Sequence, residues 1–205
     1  MPEHVRAELI EGIVYMASPL RNTAHGQPHG MIMTWLGTYF AQTPGTSFGD
    51  NCTVLLDADN EVQPDALLRI EEQAGGRCKI TPDDFLSGPP EFIFEIAASS
   101  ASYDLHEKRE AYRRNGVQEY AVWRTEDNAI DWWQLIEGDY HPIPADATHC
   151  VHSQVFPGLV LNTAALLEGR LADVLGSLTT NLRSPEHQAF KASLAAQSVQ
   201  AETRP

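Results

Sequence analysis

The 205 residues suffice for one domain with a terminal appendage, and a hydrophobic content of 42% supports a buried core. No stretch approaches the roughly 18 consecutive apolar residues of a membrane span, and the start of the chain has neither the basic residues nor the apolar run of a signal peptide, so no membrane association is expected. A formal net charge of −14 argues against nonspecific coating of DNA, and three scattered cysteines (Cys52, Cys78, Cys150) make neither a disulfide framework nor a CxxC pair, which points to a reducing cytoplasm.

Residues 5–16 read as two short extended pieces that turn near Gly12 and end at Ser18-Pro19. Met31, Met33, Leu36 and Phe40 predict a helix from Thr23 to Gln42, with Pro28 near its start. Cys52 to Leu56 and Ala66 to Ile70 read as strands on either side of a turn at Asp57–Asn60. Residues 71–90, acidic and rich in Gly and Pro, read as a surface excursion. Phe92, Ile93, Phe94 and Ile96 make Glu91–Ala97 a strand buried on both faces. A helix is expected from Ser102 or Tyr103 to Asn115, stopped by Gly116. Strands follow at Glu119–Arg124 and Ala129–Ile136, the latter paired with Tyr140–Ile143 through a hairpin at Glu137-Gly138-Asp139. Phe156–Leu161 is a last short strand, and helix continues from Thr163 to Glu168 and on towards Leu182. Ser184-Pro185-Glu186 starts a tail helix whose small apolar content predicts loose docking.

Glu95 is the residue that stands out, because a carboxylate inside an apolar strand is costly without a partner. Asp65, at the mouth of the strand beginning at Ala66, is a second acid that a mixed sheet could place beside it. Two carboxylates suit a hard cation such as Mg²⁺, and Lys108 in the following helix could orient a water or offset charge on a phosphorane. Glu8 could close the metal shell. Each residue also has a plainer reading. Asp65 could cap a turn after Pro64, and Asp104 could form a helical ion pair with Lys108 worth only about 0.2–0.5 kcal/mol. Strand alternation lets only one of Glu8 and Glu11 face Asp65. His25 and His29 are four apart, but Pro28 between them argues against a helical ligand pair. His149-Cys150-Val151-His152 lacks the second pair that a structural zinc site needs, and Trp132 and Trp133 read as packing.

The opening Ala7-Glu8-Leu9-Ile10-Glu11-Gly12-Ile13-Val14-Tyr15-Met16-Ala17-Ser18-Pro19 resembles that of the Uma2 family. So do Gln63-Pro64-Asp65, Glu95-Ile96, Asp104 with Lys108 and Tyr112, Asn115-Gly116-Val117, Glu119-Tyr120 and Phe156-Pro157-Gly158-Leu159. The resemblance runs in consistent order from residue 7 to about 168. It implies an α+β fold of the PD-(D/E)XK type: a restriction-endonuclease-like core with a central mixed β-sheet flanked by helices over residues 1–168, and a C-terminal helical extension over 169–205. It implies Asp65 and Glu95 as metal ligands, Glu8 as the first acid of the motif set and Lys108 as the catalytic lysine. The wider superfamily carries lysine two residues after the glutamate, where this chain has Ala97; the lysine of Uma2 proteins stands in the next helix, which Lys108 fits. A serine usual in the family is replaced by Ala98, with Ser99 and Ser100 displaced. The expected activity is Mg²⁺-dependent (or Mn²⁺-dependent) endonucleolytic hydrolysis of nucleic acid, DNA in preference to RNA. The alternative is a catalytically silent nuclease-fold protein acting as a binding or oligomeric scaffold. Exposed apolar positions on the tail helix would suit a homodimer.

Overall fold

The computed structural model describes residues 7–16, 20–98 and 103–203. The expected stop at Ser18-Pro19, the displaced serines Ser99 and Ser100, and Ser102 as a helix start fall outside those residues. Strands β1 (Ala7–Ile10) and β2 (Ile13–Met16) form a hairpin, its two turn residues Glu11 and Gly12 both at positive φ (53° and 74°), as a tight turn matched to strand twist requires. A wide helical turn over Asn22–Gly26 leads into α1 (Gln27–Gln42), where Pro28 sits in the first turn and its missing N–H costs nothing. Next come β3 (Thr46–Asp50), β4 (Val54–Asp57), β5 (Asn60–Val62), β6 (Ala66–Ile70), β7 (Lys79–Ile80), β8 (Leu86–Ser87) and β9 (Phe92–Ala97). A second wide turn, Asp104–Lys108, runs into α2 (Arg109–Asn115), which ends at Gly116 with φ of 81°. Strands β10 (Glu119–Arg124), β11 (Ala129–Ile136), β12 (Asp139–Pro142), β13 (Cys150–His152) and β14 (Val160–Asn162) precede α3 (Thr163–Leu167), α4 (Leu171–Asn181) and α5 (Pro185–Glu202).

The main sheet has the order β12-β11-β10-β9-β6-β3. Its β9–β10 pair is parallel, joined by a crossover through α2, and the other pairs are antiparallel, so the sheet is mixed as expected. A second six-stranded sheet, β2-β1-β5-β4-β8-β7, lies alongside the single one that was expected. Alternation along β9 divides its side chains: Phe92, Phe94 and Ile96 pack with Trp35, Trp132 and Phe156 under α1, while Ile93 and Ala97 face Tyr112, Tyr120 and Ile10. Glu95 shares the second face, so the acid points at α2 and the β1 hairpin. Trp132 packs on Phe92 at 5.1 Å between ring centroids, as packing rather than as a binding platform.

Residues 71–90 run mostly along the surface, as expected, but they carry structure that composition did not show. They hold a single 3₁₀ turn and strands β7 and β8, with Cys78 fully buried. Two-residue strands carry no periodicity, and β8 exists because it extends β4 through Val54 and Leu55. The Glu91 carboxylate accepts from the amides of Ile70 (2.8 Å) and Arg77 (3.3 Å), which fastens this segment to β6. The tail helix also docks more firmly than its composition suggests. Ser184 caps it by accepting from His187 N, and the His187 ring is fully buried against Tyr39, bonded to Thr43 Oγ1 (2.9 Å) and Leu182 O (2.7 Å). Polar anchors at its start are joined further along by Phe190, packed on Phe156, and by the buried Leu194.

Glu119, at the start of β10, is fully buried and ties the 153–156 turn to the main sheet. Ser153 Oγ donates to it at 2.8 Å, and the amides of Gln154 and Val155 at 2.5 and 3.2 Å. Burial pushes its pKa up to about 7 against the pull of those hydrogen bonds. The folded-state value lies above the unfolded one, so the native state holds the proton more tightly. This group's stabilisation is complete at low pH and declines as pH rises towards 7, by up to about 3 kcal/mol. Urea unfolding of wild type and Glu119→Gln between pH 4.5 and 7.5 should show that slope in the wild type and its loss in the variant.

Candidate active site

β6 runs antiparallel to β9 with Ala66 opposite Phe94. Carrying that register one residue back brings Asp65, the last residue of the Gln63-Pro64-Asp65 link between the two sheets, beside Glu95. Asp65 N donates to Glu95 Oε2 at 3.2 Å, and Ile96 N donates to Asp65 Oδ2 at 2.7 Å. The two carboxylates are thus held side by side, Glu95 by the Asp65 amide and Asp65 by the amide of the next residue along β9, Ile96.

Across β9 the helical run presents Asp104, Lys108 and Tyr112 at four-residue steps, hence on one face. Lys108 Nζ lies 3.0 Å from Glu95 Oε1, and Tyr112 OH donates to the same oxygen at 2.8 Å. Lys108 also meets Glu8 Oε2 at 3.0 Å and Asp104 Oδ1 at 3.7 Å. Glu8 is fixed from behind by Gln63 N, which donates to its Oε1 at 2.8 Å. Glu11, at the hairpin turn, points elsewhere and pairs with Arg114. Tyr103 packs at a tilt against Tyr15, 4.3 Å between ring centroids, and its ring lies 5.8 Å from the Lys108 ammonium.

The four sequence-derived residues therefore meet: Glu8, Glu95 and Lys108 in direct ion pairs, Asp65 next to Glu95. Burial pushes the Glu95 carboxyl well above the usual range, Lys108 pulls it back, and the neighbouring acids push it up again. Burial would lower the Lys108 pKa, but Glu95, Glu8, Asp104 and Asp65 together hold it well above its ordinary value. Asp65 stays below the usual carboxylate range, since His25, the Ile96 amide and Lys108 outweigh its burial. Acids outnumber the lysine, so the cluster carries an excess of negative charge in a poorly solvated place, an arrangement that draws a cation.

Two residues here escaped sequence reasoning. His25 Nε2 donates to Asp65 Oδ1 at 3.0 Å and His29 Nε2 to Asp65 O at 2.8 Å. Their four-residue spacing was visible, and Pro28 argued only against a metal-ligand pair; the rings, 5.8 Å apart, instead both bond to Asp65, His25 from the wide turn and His29 from α1. Lys108, Arg109, Arg113 and Arg114 stand close together in the sequence, but they do not make a free positive face. Arg113 pairs with Glu110 at 2.6 Å, Arg114 with Glu11, and Arg109 lies 4.8 Å over the Trp133 ring.

Among the described residues no three His, Cys, Asp or Glu side chains form a ready-made metal cage. A pair of carboxylates is nevertheless the usual protein share of a Mg²⁺ shell, which keeps water and substrate oxygens for the rest. The all-oxygen donor set of Asp65 and Glu95, with its surplus negative charge, fits such a cation.

The Uma2 family model, described as "Putative restriction endonuclease", matches residues 1–164. The chain belongs to the Uma2 family. No curated protein matches it. Among solved structures it is similar to a protein from Anabaena variabilis described as "a putative nuclease belonging to DUF820", with a TM-score of 0.58 and 10% identity, covering 87% of this chain and 94% of that one. At that identity the likeness is one of fold: this Uma2 chain has a nuclease-type α+β architecture. No described helix is long and apolar enough to cross a membrane.

Lys108→Met would leave Glu95, Glu8 and Asp104 facing one another without their ammonium. Urea unfolding at pH 7 should show a loss of about 3–5 kcal/mol, the range for stranding one half of a buried pair. Adding Glu95→Gln to that variant should restore part of it.

Proposed function

We propose that this Uma2 protein is a metal-dependent endonuclease that hydrolyses phosphodiester bonds, with DNA as substrate before RNA. The observation that carries the reading is the contact of Asp65 and Glu95, thirty residues apart in the chain, with Lys108 paired to Glu95 on the other side. Family membership and fold support it from outside the site.

Asp65 and Glu95 would hold Mg²⁺ or Mn²⁺. When bound, such an ion acidifies a water and neutralises charge on phosphoryl oxygens. The chain's own groups have separable tasks. Tyr112 and the Asp65 amide fix the rotamer of Glu95. Glu8 and Asp104 hold the Lys108 ammonium and keep it protonated, so that it can donate to an oxygen that gains charge as water attacks phosphorus. The attacking water releases its proton to solvent, the new P–O bond forms in line with the one that breaks, and the leaving alkoxide takes a proton from solvent. With lysine committed as a cation, it is a charge stabiliser and not the base.

One observation favours the silent-scaffold alternative. Glu95 Oε1 already accepts from both Lys108 and Tyr112, so any cation must compete for it. Cleavage assays decide. Purified wild type should nick plasmid DNA with Mg²⁺ or Mn²⁺ and not with EDTA. Asp65→Ala and Glu95→Gln should fall below about a hundredth of that rate, the scale of losing a main electrostatic contact to the transition state, while retaining a cooperative melt. No cutting of DNA or RNA with any divalent cation, or equal cutting by the variants, would leave only the scaffold.

A further inference from the structure

Asp65 is gripped by one stretch of chain on more than its carboxylate. His25 donates to Oδ1, Ile96 N to Oδ2, and His29 to the backbone carbonyl, with His29 Nε2 also 3.3 Å from Asp50 Oδ1. The stretch carrying both histidines is itself anchored. Gly26 N donates to Arg21 O across the wide turn, and Thr125 Oγ1 donates to Ala24 O at 2.9 Å while Thr125 N donates to Ala97 O, the last residue of β9. The start of α1 is therefore referenced to the same strand end as Glu95.

The His25 ring bears an unusual burden. Its side chain is 9% exposed, yet Nδ1 is buried with no hydrogen-bond partner among the described residues. A stranded ring nitrogen is unfavourable, so the ring's place is not explained by stability alone. Nor does it cap α1, whose first turn has no side-chain cap. What the ring does satisfy is one carboxylate oxygen, at one angle.

We infer that His25 and His29 are positioning residues: together they fix the side chain and backbone of Asp65 so that its carboxylate stands beside that of Glu95. This rests on the reading of Asp65 and Glu95 as a cation site. Groups behind metal ligands typically contribute about 10–100-fold in metal affinity. The consequence falls on the cation and on turnover, not on nucleic-acid affinity.

The test is calorimetric titration of the full chain with Mn²⁺, alongside cleavage kinetics, for wild type, His25→Leu and His25→Gln. His25→Leu should weaken Mn²⁺ binding by about tenfold or more and lower kcat at fixed metal, with KM for DNA unchanged. His25→Gln, whose amide N–H can reach the same oxygen, should recover most of the loss. A rescue of that kind is not expected if the ring merely fills space. Equal Mn²⁺ affinity in wild type and His25→Leu would overturn the inference, as would a glutamine variant as impaired as the leucine. A wild type with no saturable Mn²⁺ site would overturn the proposed function and this inference with it, so the two failures are told apart by the wild-type titration.

Discussion

A carboxylate in the middle of a fully buried strand is the constraint around which the molecule is arranged. All six residues of β9 are buried, and Glu95 among them would be untenable alone. Its satisfaction dictates where three other elements lie. The α2 helical run must present Lys108 and Tyr112 to β9 together, which the crossover between parallel β9 and β10 achieves. The β1 hairpin must bring Glu8 to the lysine, and the link into β6 must turn the Asp65 amide towards Oε2. Removing the acid would make the packing simpler; replacing buried ion pairs by apolar groups is often neutral or stabilising. A carboxylate at this fully buried place is therefore an argument for chemistry.

Much of this frame was legible in the sequence because the signals were local. The apolar run around Glu95, the glycine after Asn115 and the Glu137-Gly138 hairpin each name their structure through one backbone requirement. The strands at Glu119–Arg124 and Ala129–Ile136 fell where alternation and composition placed them. What failed to show were elements made by their neighbours. β3 contains a glycine and little alternation, yet pairs with all of β6, and β7 and β8 are two residues each. Of the site, the acids and lysine were nameable from residue type and family resemblance. The histidines were not, since their role depends on a wide helical turn that no periodicity announces. Tyr112 was visible as part of the motif, but its bond to Glu95 needed the helix phase.

The charge of the chain and the charge of the site tell one story. At −14 the surface offers a polyanion little, and the arginines nearest the site are spent on Glu110, Asp139, Glu11 and the Trp133 ring. Positive potential at the site comes from Lys108, and the surrounding carboxylates exceed it. A cation is the natural complement, and binding of nucleic acid should then be local to it and sensitive to it.

The most direct measurement is a crystal structure of the protein with Mn²⁺, read by anomalous scattering. One ion within bonding distance of both Asp65 and Glu95, with the Lys108 ammonium displaced from Glu95 Oε1 or sharing it, is what the account predicts. Crystals saturated with Mn²⁺ that show no ion there, and Lys108 still closed on Glu95, would contradict it.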